Sequence, residues 1–262
     1  MLNKIALMLL PLLFVAGMPA ELAHAEPKTE IIVSAAISLK NAFEEIGKFY
    51  ESQNENSKVT FNLGASGDLV AQIKGGAPVD VFASAALKDM DDLENAGFAL
   101  KETRTNFVEN TVVLIVPAST KVMITSFDDL KKAEIKKIAV GNPKTVPVGR
   151  YSGETFQYYK ISDMIKDKLV FAENVRQVLE YVAQDEVDAG VVYSTDAATL
   201  PQQVKIIVTA PDTSHKPIIY PIAVVKGTKN EKAARNFIAL VLSEEGRKIL
   251  SKYGFKPVTS GK

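Results

Sequence analysis

Phe61-Asn62-Leu63-Gly64-Ala65-Ser66-Gly67-Asp68-Leu69-Val70-Ala71-Gln72-Ile73 starts as a short apolar run, narrows to small residues and continues at helical spacing. The pattern predicts a strand that turns into a helix at Ser66. A helix N-terminus carries backbone N–H groups without intrahelical partners and a partial positive charge, so a serine placed there adds a hydroxyl to a ready anion site. Taken alone, the same stretch also reads as an ordinary helix cap. The flanking sequence carries the argument further.

On the N-terminal side, residues 30–34 read as a buried strand, and Leu39, Ala42, Phe43, Ile46, Phe49 and Tyr50 recur behind it at helical spacing. The turn between them, Ala35-Ala36-Ile37-Ser38, again sets a serine at a helix start. On the C-terminal side, Gly75-Gly76-Ala77-Pro78 breaks the helix before a strand at 79–83. The order βαβαβ implies a parallel, doubly wound α/β sheet, whose ligands bind at strand carboxyl ends beside helix N-termini. Ser38 and Ser66 both fall there.

Further along, residues 88–96 predict a helix closed by Gly97, and Thr111-Val112-Val113-Leu114-Ile115-Val116 predicts a buried strand that begins a second lobe. A short helix at 127–130, a strand at 137–140 and a helix start at Pro147 follow. Asn174 is placed to cap a helix whose apolar face is Val175, Val178, Leu179 and Val182, and 188–193 form a buried strand ending in the Tyr193 hydroxyl. Strands at 205–209 and 222–225 precede one helical pattern over 231–253, interrupted near Ser243. If the strand at 222–225 returns to the first lobe, that lobe comprises 26–110 plus 219–262 and the second 111–218. Two such lobes on a hinge suit the enclosure of a ligand.

Composition bounds the rest. The 262 residues are 47% hydrophobic and carry 31 basic against 31 acidic side chains, which fits a folded chain with a sizeable core. Balanced charge and the absence of Trp give no support to nucleic-acid binding. With no Cys, disulfides, thiol catalysis, lipid attachment at a cysteine and thiolate metal sites are all excluded. Lys4, the apolar run 5–15 and Ala23-His24-Ala25 predict a cleaved export signal over 1–25, the run being short of the roughly 20 apolar residues a membrane span needs. After that cut only His215 remains among the histidines, in a polar loop that reads as surface.

Several motifs then occur together and in order: Ser34-Ala35-Ala36-Ile37-Ser38-Leu39-Lys40-Asn41-Ala42, Gly64-Ala65-Ser66-Gly67, Ala77-Pro78-Val79-Asp80-Val81-Phe82-Ala83-Ser84, Val146-Pro147-Val148-Gly149-Arg150-Tyr151, Glu173-Asn174-Val175-Arg176, Gly190-Val191-Val192-Tyr193 and Tyr220-Pro221-Ile222-Ala223. Across nearly the whole exported chain they resemble the periplasmic molybdate-binding proteins of ABC importers. The resemblance implies a type II periplasmic-binding-protein fold, with two doubly wound α/β lobes that close on molybdate or tungstate. It also implies a monomer that hands its ligand to an inner-membrane permease, needs no cofactor and performs no catalysis. The family's ligand shell falls on Ser38 and Ser66 through hydroxyl and N–H, on the N–H groups of Val148 and Val175, and on the Tyr193 hydroxyl. The metal is reached only through the oxygens of the oxyanion, without direct metal ligands.

The chemistry of such a shell is consistent. Neutral donors replace the hydration contacts of a dianion, and an all-donor shell leaves the proton of hydrogen phosphate unpaired at about 1–3 kcal/mol. Sulfate has no such proton and must be rejected by size. Two departures from the family pattern stand out. Asp68 faces either outward, complementing the helix N-terminus, or inward as an acceptor that would favour phosphate; Arg150 reads as either an attractive charge near the mouth or a solvated surface residue. The rival readings are a sulfate or phosphate binder and an enzyme on the same fold, although no base adjoins Ser38 or Ser66 in the sequence.

Overall fold

The computed structural model describes residues 29–258. The predicted signal segment, 1–25, lies outside them, as do 26–28 and 259–262. The chain begins β1 (Thr29–Ala36), a 3₁₀ turn (Ile37–Leu39), α1 (Lys40–Gln53), β2 (Ser57–Gly64), α2 (Ser66–Lys74), β3 (Val81–Ala83), α3 (Leu87–Asn95) and β4 (Thr105–Glu109). It crosses to a second sheet for β5 (Val112–Pro117), β6 (Ile138–Gly141), α4 (Pro147–Tyr158), α5 (Ser162–Ile165), β7 (Leu169–Ala172), α6 (Val175–Ala183), β8 (Ala189–Tyr193), α7 (Ser194–Ala197) and β9 (Val204–Thr209). It then returns for β10 (Ile219–Val224), α8 (Glu231–Leu242), α9 (Glu244–Lys252) and β11 (Lys256–Pro257).

The first sheet has the order β11-β4-β10-β3-β1-β2 and the second β7-β6-β8-β5-β9. In each, three parallel strands, β2-β1-β3 and β7-β6-β8, meet an antiparallel strand, β10 and β5 respectively. The βαβαβ run is parallel as expected, and each whole sheet is mixed because strands from outside such runs join it antiparallel. The parallel trios are the predicted part. The antiparallel strands are those that enter a sheet directly after a crossover from the other one, so they arrive without a helical return to set them parallel.

Helix α1 illustrates how the pattern becomes packing. Ala42, Phe43, Ile46, Gly47 and Tyr50 line its buried face, and Phe43 meets Phe61, Phe107 and Phe237 at ring-centroid distances of 6.2, 6.0 and 5.9 Å. Fully burying each large apolar side chain of this group contributes roughly 1.5–3 kcal/mol. The single helical pattern at 231–253 resolves into two helices, and Ser243 explains the break: its hydroxyl accepts from Gly246 N–H and caps α9. The short helix predicted at 127–130 is a 3₁₀ turn, Phe127–Lys131, opened by a Ser126/Asp129 capping box.

Candidate functional site

Between the sheets lies a small cavity of about 10 Å³, lined by Ser38, Ser66, Val148, Val175 and Tyr193 among others. All five residues expected from the sequence are thus brought to one place. Among the described residues that line the cavity, none carries a charged side chain.

Two elements present the first-sheet side. Ser38 sits in the 3₁₀ turn where β1 ends, and it is 4% exposed. Ser66 is the first residue of α2 and is fully buried. The capping alternative for Ser66 falls, because the N-cap is Ala65 and no side-chain cap bond is made. Instead the Ala85 N–H donates to Ser66 Oγ at 3.0 Å. That bond takes one of the two lone pairs on Ser66 Oγ and leaves the hydroxyl proton free to donate into the cavity.

The second-sheet side consists mainly of helix starts. Helix α4 opens with Val146 at the N-cap and Pro147 at the first position, with no side-chain cap bond. Proline has no N–H to lose and a φ already suited to a helix, so the free donors of that turn begin at Val148. The Val148 side chain is fully buried and belongs to the hydrophobic core. Helix α6 starts at Val175 under the predicted N-cap: Asn174 Oδ1 accepts from Gln177 N–H at 3.0 Å. That bond occupies the third donor and leaves the Val175 N–H at the end of the helix, aimed with the dipole.

Tyr193 closes the shell from the end of β8. Its side chain is 1% exposed, and its hydroxyl reaches only the Ala85 carbonyl at 3.5 Å, the outer limit of a hydrogen bond. Burial holds its pKa well above the usual phenol range, so the hydroxyl stays protonated and available as a donor. Hydroxyl and N–H donors from both sheets therefore converge on one uncharged cavity, an arrangement suited to a compact anion.

The two departures resolve differently. Asp68 is half-buried in the first turn of α2 and does not line the cavity, so an inward acceptor for a protonated oxyanion has no residue to serve it. Arg150 is not a solvated surface residue. It forms an ion pair from α4 with Asp89 on α3, joining the two lobes, with side-chain exposures of 18% and 3%. Burial raises the Asp89 pKa, and the Arg150 charge partly offsets that rise.

A second bridge lies across the cleft. Arg176 Nη2 donates to Asn41 Oδ1 at 2.8 Å, while its Nε pairs with Asp196 Oδ1 at 2.5 Å. Asp196 is fully buried with its second oxygen unpartnered, and desolvation pushes its pKa up to about 6 against the lowering effect of Arg176. The Gly67 N–H also donates across the cleft, to Thr145 O at 3.0 Å. The lobes are closed upon one another.

His215 is half-buried rather than free on the surface: its ring meets Tyr151 edge-on at 5.9 Å, away from the cavity. Among the described residues no group of three His, Cys, Asp or Glu side chains could hold a metal ion, and no helix is long and apolar enough to cross a membrane. The reading of the sequence assigned no part to Ala85, Asn110 or Tyr220, which stand behind the serines. Only Tyr220 lay in a quoted motif, and a buried aromatic beside a proline carries no periodic signal of a polar role.

Residues 31–256 match the model of a family described as bacterial extracellular solute-binding protein. The chain is similar to the molybdate-binding protein ModA of Haemophilus influenzae, with 36% identity over 248 residues, 93% of this chain and 95% of that one. A solved substrate-binding domain from Clostridium difficile is 39% identical with a TM-score of 0.68, covering 88% of this chain and all of that one (100%). The periplasmic molybdate-binding protein of Azotobacter vinelandii superposes with a TM-score of 0.78 at 24% identity, over 87% of this chain and 100% of that one, a likeness of fold.

Proposed function

The chain belongs to the bacterial extracellular solute-binding proteins, and we propose that it captures molybdate, and tungstate as well, and delivers the oxyanion to the permease of an ABC importer. In this reading the shell consists of the Ser38 and Ser66 hydroxyls and N–H groups, the Val148 and Val175 N–H groups and the Tyr193 hydroxyl. The metal atom stays inside its four oxygens and touches no side chain. The lobes divide at the two crossovers, giving 26–110 plus 219–262 and 111–218. The protein acts as a monomer, exported behind a cleaved signal, and carries out no reaction.

One observation carries the proposal: donors from the starts of three helices, a 3₁₀ turn and a strand end converge on a cavity that no charged side chain lines. A dianion is held there by oriented N–H and O–H groups and by helix dipoles, with no cation to desolvate. The same set disfavours hydrogen phosphate, whose proton would find no carboxylate.

Isothermal titration with molybdate, tungstate, sulfate and phosphate tests the reading. Tight, one-to-one binding of the first two with much weaker sulfate and phosphate binding is expected. Tight sulfate or phosphate binding in place of molybdate would reassign the ligand, and no oxyanion binding at all would remove the function.

A further inference from the structure

A serine hydroxyl rotates, so its oxygen either keeps a proton for a ligand or turns that proton away. At Ser66 a backbone N–H takes one lone pair and leaves the proton free to donate, as described above. At Ser38 the partner is another hydroxyl, Tyr220 Oη, 3.0 Å away. The direction of that bond follows from the residue behind it.

Asn110 lies between β4 and β5, at the first crossover, and is 8% exposed. Its amide orientation is fixed by its oxygen, which accepts from the Thr111 N–H at 2.8 Å and from Ser194 Oγ at 3.3 Å. The Nδ2 group therefore faces the opposite way, donating to Thr195 Oγ1 at 2.9 Å and to Tyr220 Oη at 3.1 Å. An amide nitrogen cannot accept in return. Tyr220 is fully buried, and burial keeps its phenol protonated by holding its pKa well above the usual range. Its proton must go to an acceptor, and among the described partners the Ser38 oxygen is the one within reach.

We propose that Asn110 and Tyr220 are positioning residues that direct the Ser38 proton into the cavity, favouring Ser38 as a donor and biasing the site against protonated oxyanions. The chain of bonds runs from Asn110 Nδ2–H to Tyr220 Oη–H to Ser38 Oγ–H and into the cavity. Without Tyr220 both lone pairs of the Ser38 oxygen are free and its proton is no longer directed, so the site gains tolerance for a ligand that carries a proton. This rests on the oxyanion reading above. Asn110 also bonds Ser194 and Thr195 on the second-sheet side, so the same amide that sets the proton spans the hinge.

The test is a double-mutant cycle of Tyr220→Phe and Ser38→Ala, titrated with molybdate and with inorganic phosphate at pH 8. Phenylalanine keeps the ring that packs edge-on against Phe107 and Phe255 at 6.5 and 5.6 Å, and thermal unfolding of the unliganded variants reads any structural loss separately. Tyr220→Phe is expected to weaken molybdate binding on the order of tenfold and to narrow the molybdate-to-phosphate ratio. It should have no further effect in the Ser38→Ala background. Wild-type affinity and ratio in Tyr220→Phe, or losses that simply add in the double variant, would overturn the relay alone. A wild-type protein that binds no oxyanion overturns the oxyanion reading and the relay with it.

Discussion

The two sides of the cavity offer the same kind of group by different routes. On the first-sheet side the proposed donors include two hydroxyls, whose protons are aimed by Tyr220 and by the Ala85 N–H. On the second-sheet side they are main-chain N–H groups at the starts of α4 and α6, with Tyr193 the one side chain. A hydroxyl wall depends on which residue occupies a position. A main-chain wall tolerates many residues but depends on where the backbone lies, so the two should fail under opposite kinds of substitution.

The largest effect is expected where the main-chain wall is held. An alanine Cβ at Gly149 would stand 2.0 Å from the Gly141 carbonyl oxygen and 2.6 Å from its carbon, both backbone atoms. The first turn of α4 thus lies directly on the end of β6, and no side chain can move aside to make room. Gly149→Ala is expected to cost about 3 kcal/mol or more of stability, read by thermal or chemical unfolding, and to displace the Val148 donor so that titration shows no tight oxyanion binding. A variant with unchanged stability and affinity would show that the helix start is not fixed by this contact.

Side-chain deletions on the two walls give the next effect. Ser38→Ala and Ser66→Ala should each weaken molybdate binding by roughly 1.5–3 kcal/mol, the scale for a hydrogen bond to a charged group. Val148→Ala and Val175→Ala remove apolar volume but keep the donor. They should lower stability by about 1–3 kcal/mol as core truncations while leaving affinity nearly intact. A large affinity loss at Val175, with the fold retained, would count against a main-chain contact there.

That contrast also explains what could be read from the sequence. Strands with continuous apolar runs, such as β5 and β8, and helices with clear faces, such as α1 and α6, announce themselves by periodicity. So does the Asn174 cap. The edge strand β7 does not, because it is four residues long and leaves Phe171 exposed, and β11 has two exposed residues. The serines were visible because side-chain chemistry at a helix start is written in the residue. The groups that aim them were not, since Asn110, Tyr220 and Ala85 act across separations of up to 182 positions that no local pattern encodes. Long-range pairing hid Arg150 in the same way: its partner Asp89 lies 61 positions away on the other lobe.

The Asp89–Arg150 pair joins the two walls, and breaking it should give the smallest effect of the series. In the closed form Asp89 is 2% exposed, and Arg150→Met would leave its carboxylate desolvated without a counter-charge. Opening the lobes relieves that cost by returning the carboxylate to water, so the substitution acts on closure rather than on the fold. Apparent molybdate affinity should fall about tenfold, or ~1.4 kcal/mol, with little change in unliganded melting temperature. The sign of its pH dependence follows from the carboxyl. Burial already raises the Asp89 pKa with Arg150 present, and without that charge the closed-form pKa rises further, so closure takes up a proton. The affinity loss should therefore shrink as pH is lowered from 8 toward 6, and Asp89→Asn in the Arg150→Met background should recover affinity at all pH values by removing the unpaired charge. A loss in Arg150→Met that is the same at every pH, or one that Asp89→Asn leaves unrepaired, would mean that the two walls are held together by Gly67–Thr145 and Asn41–Arg176 without help from this pair.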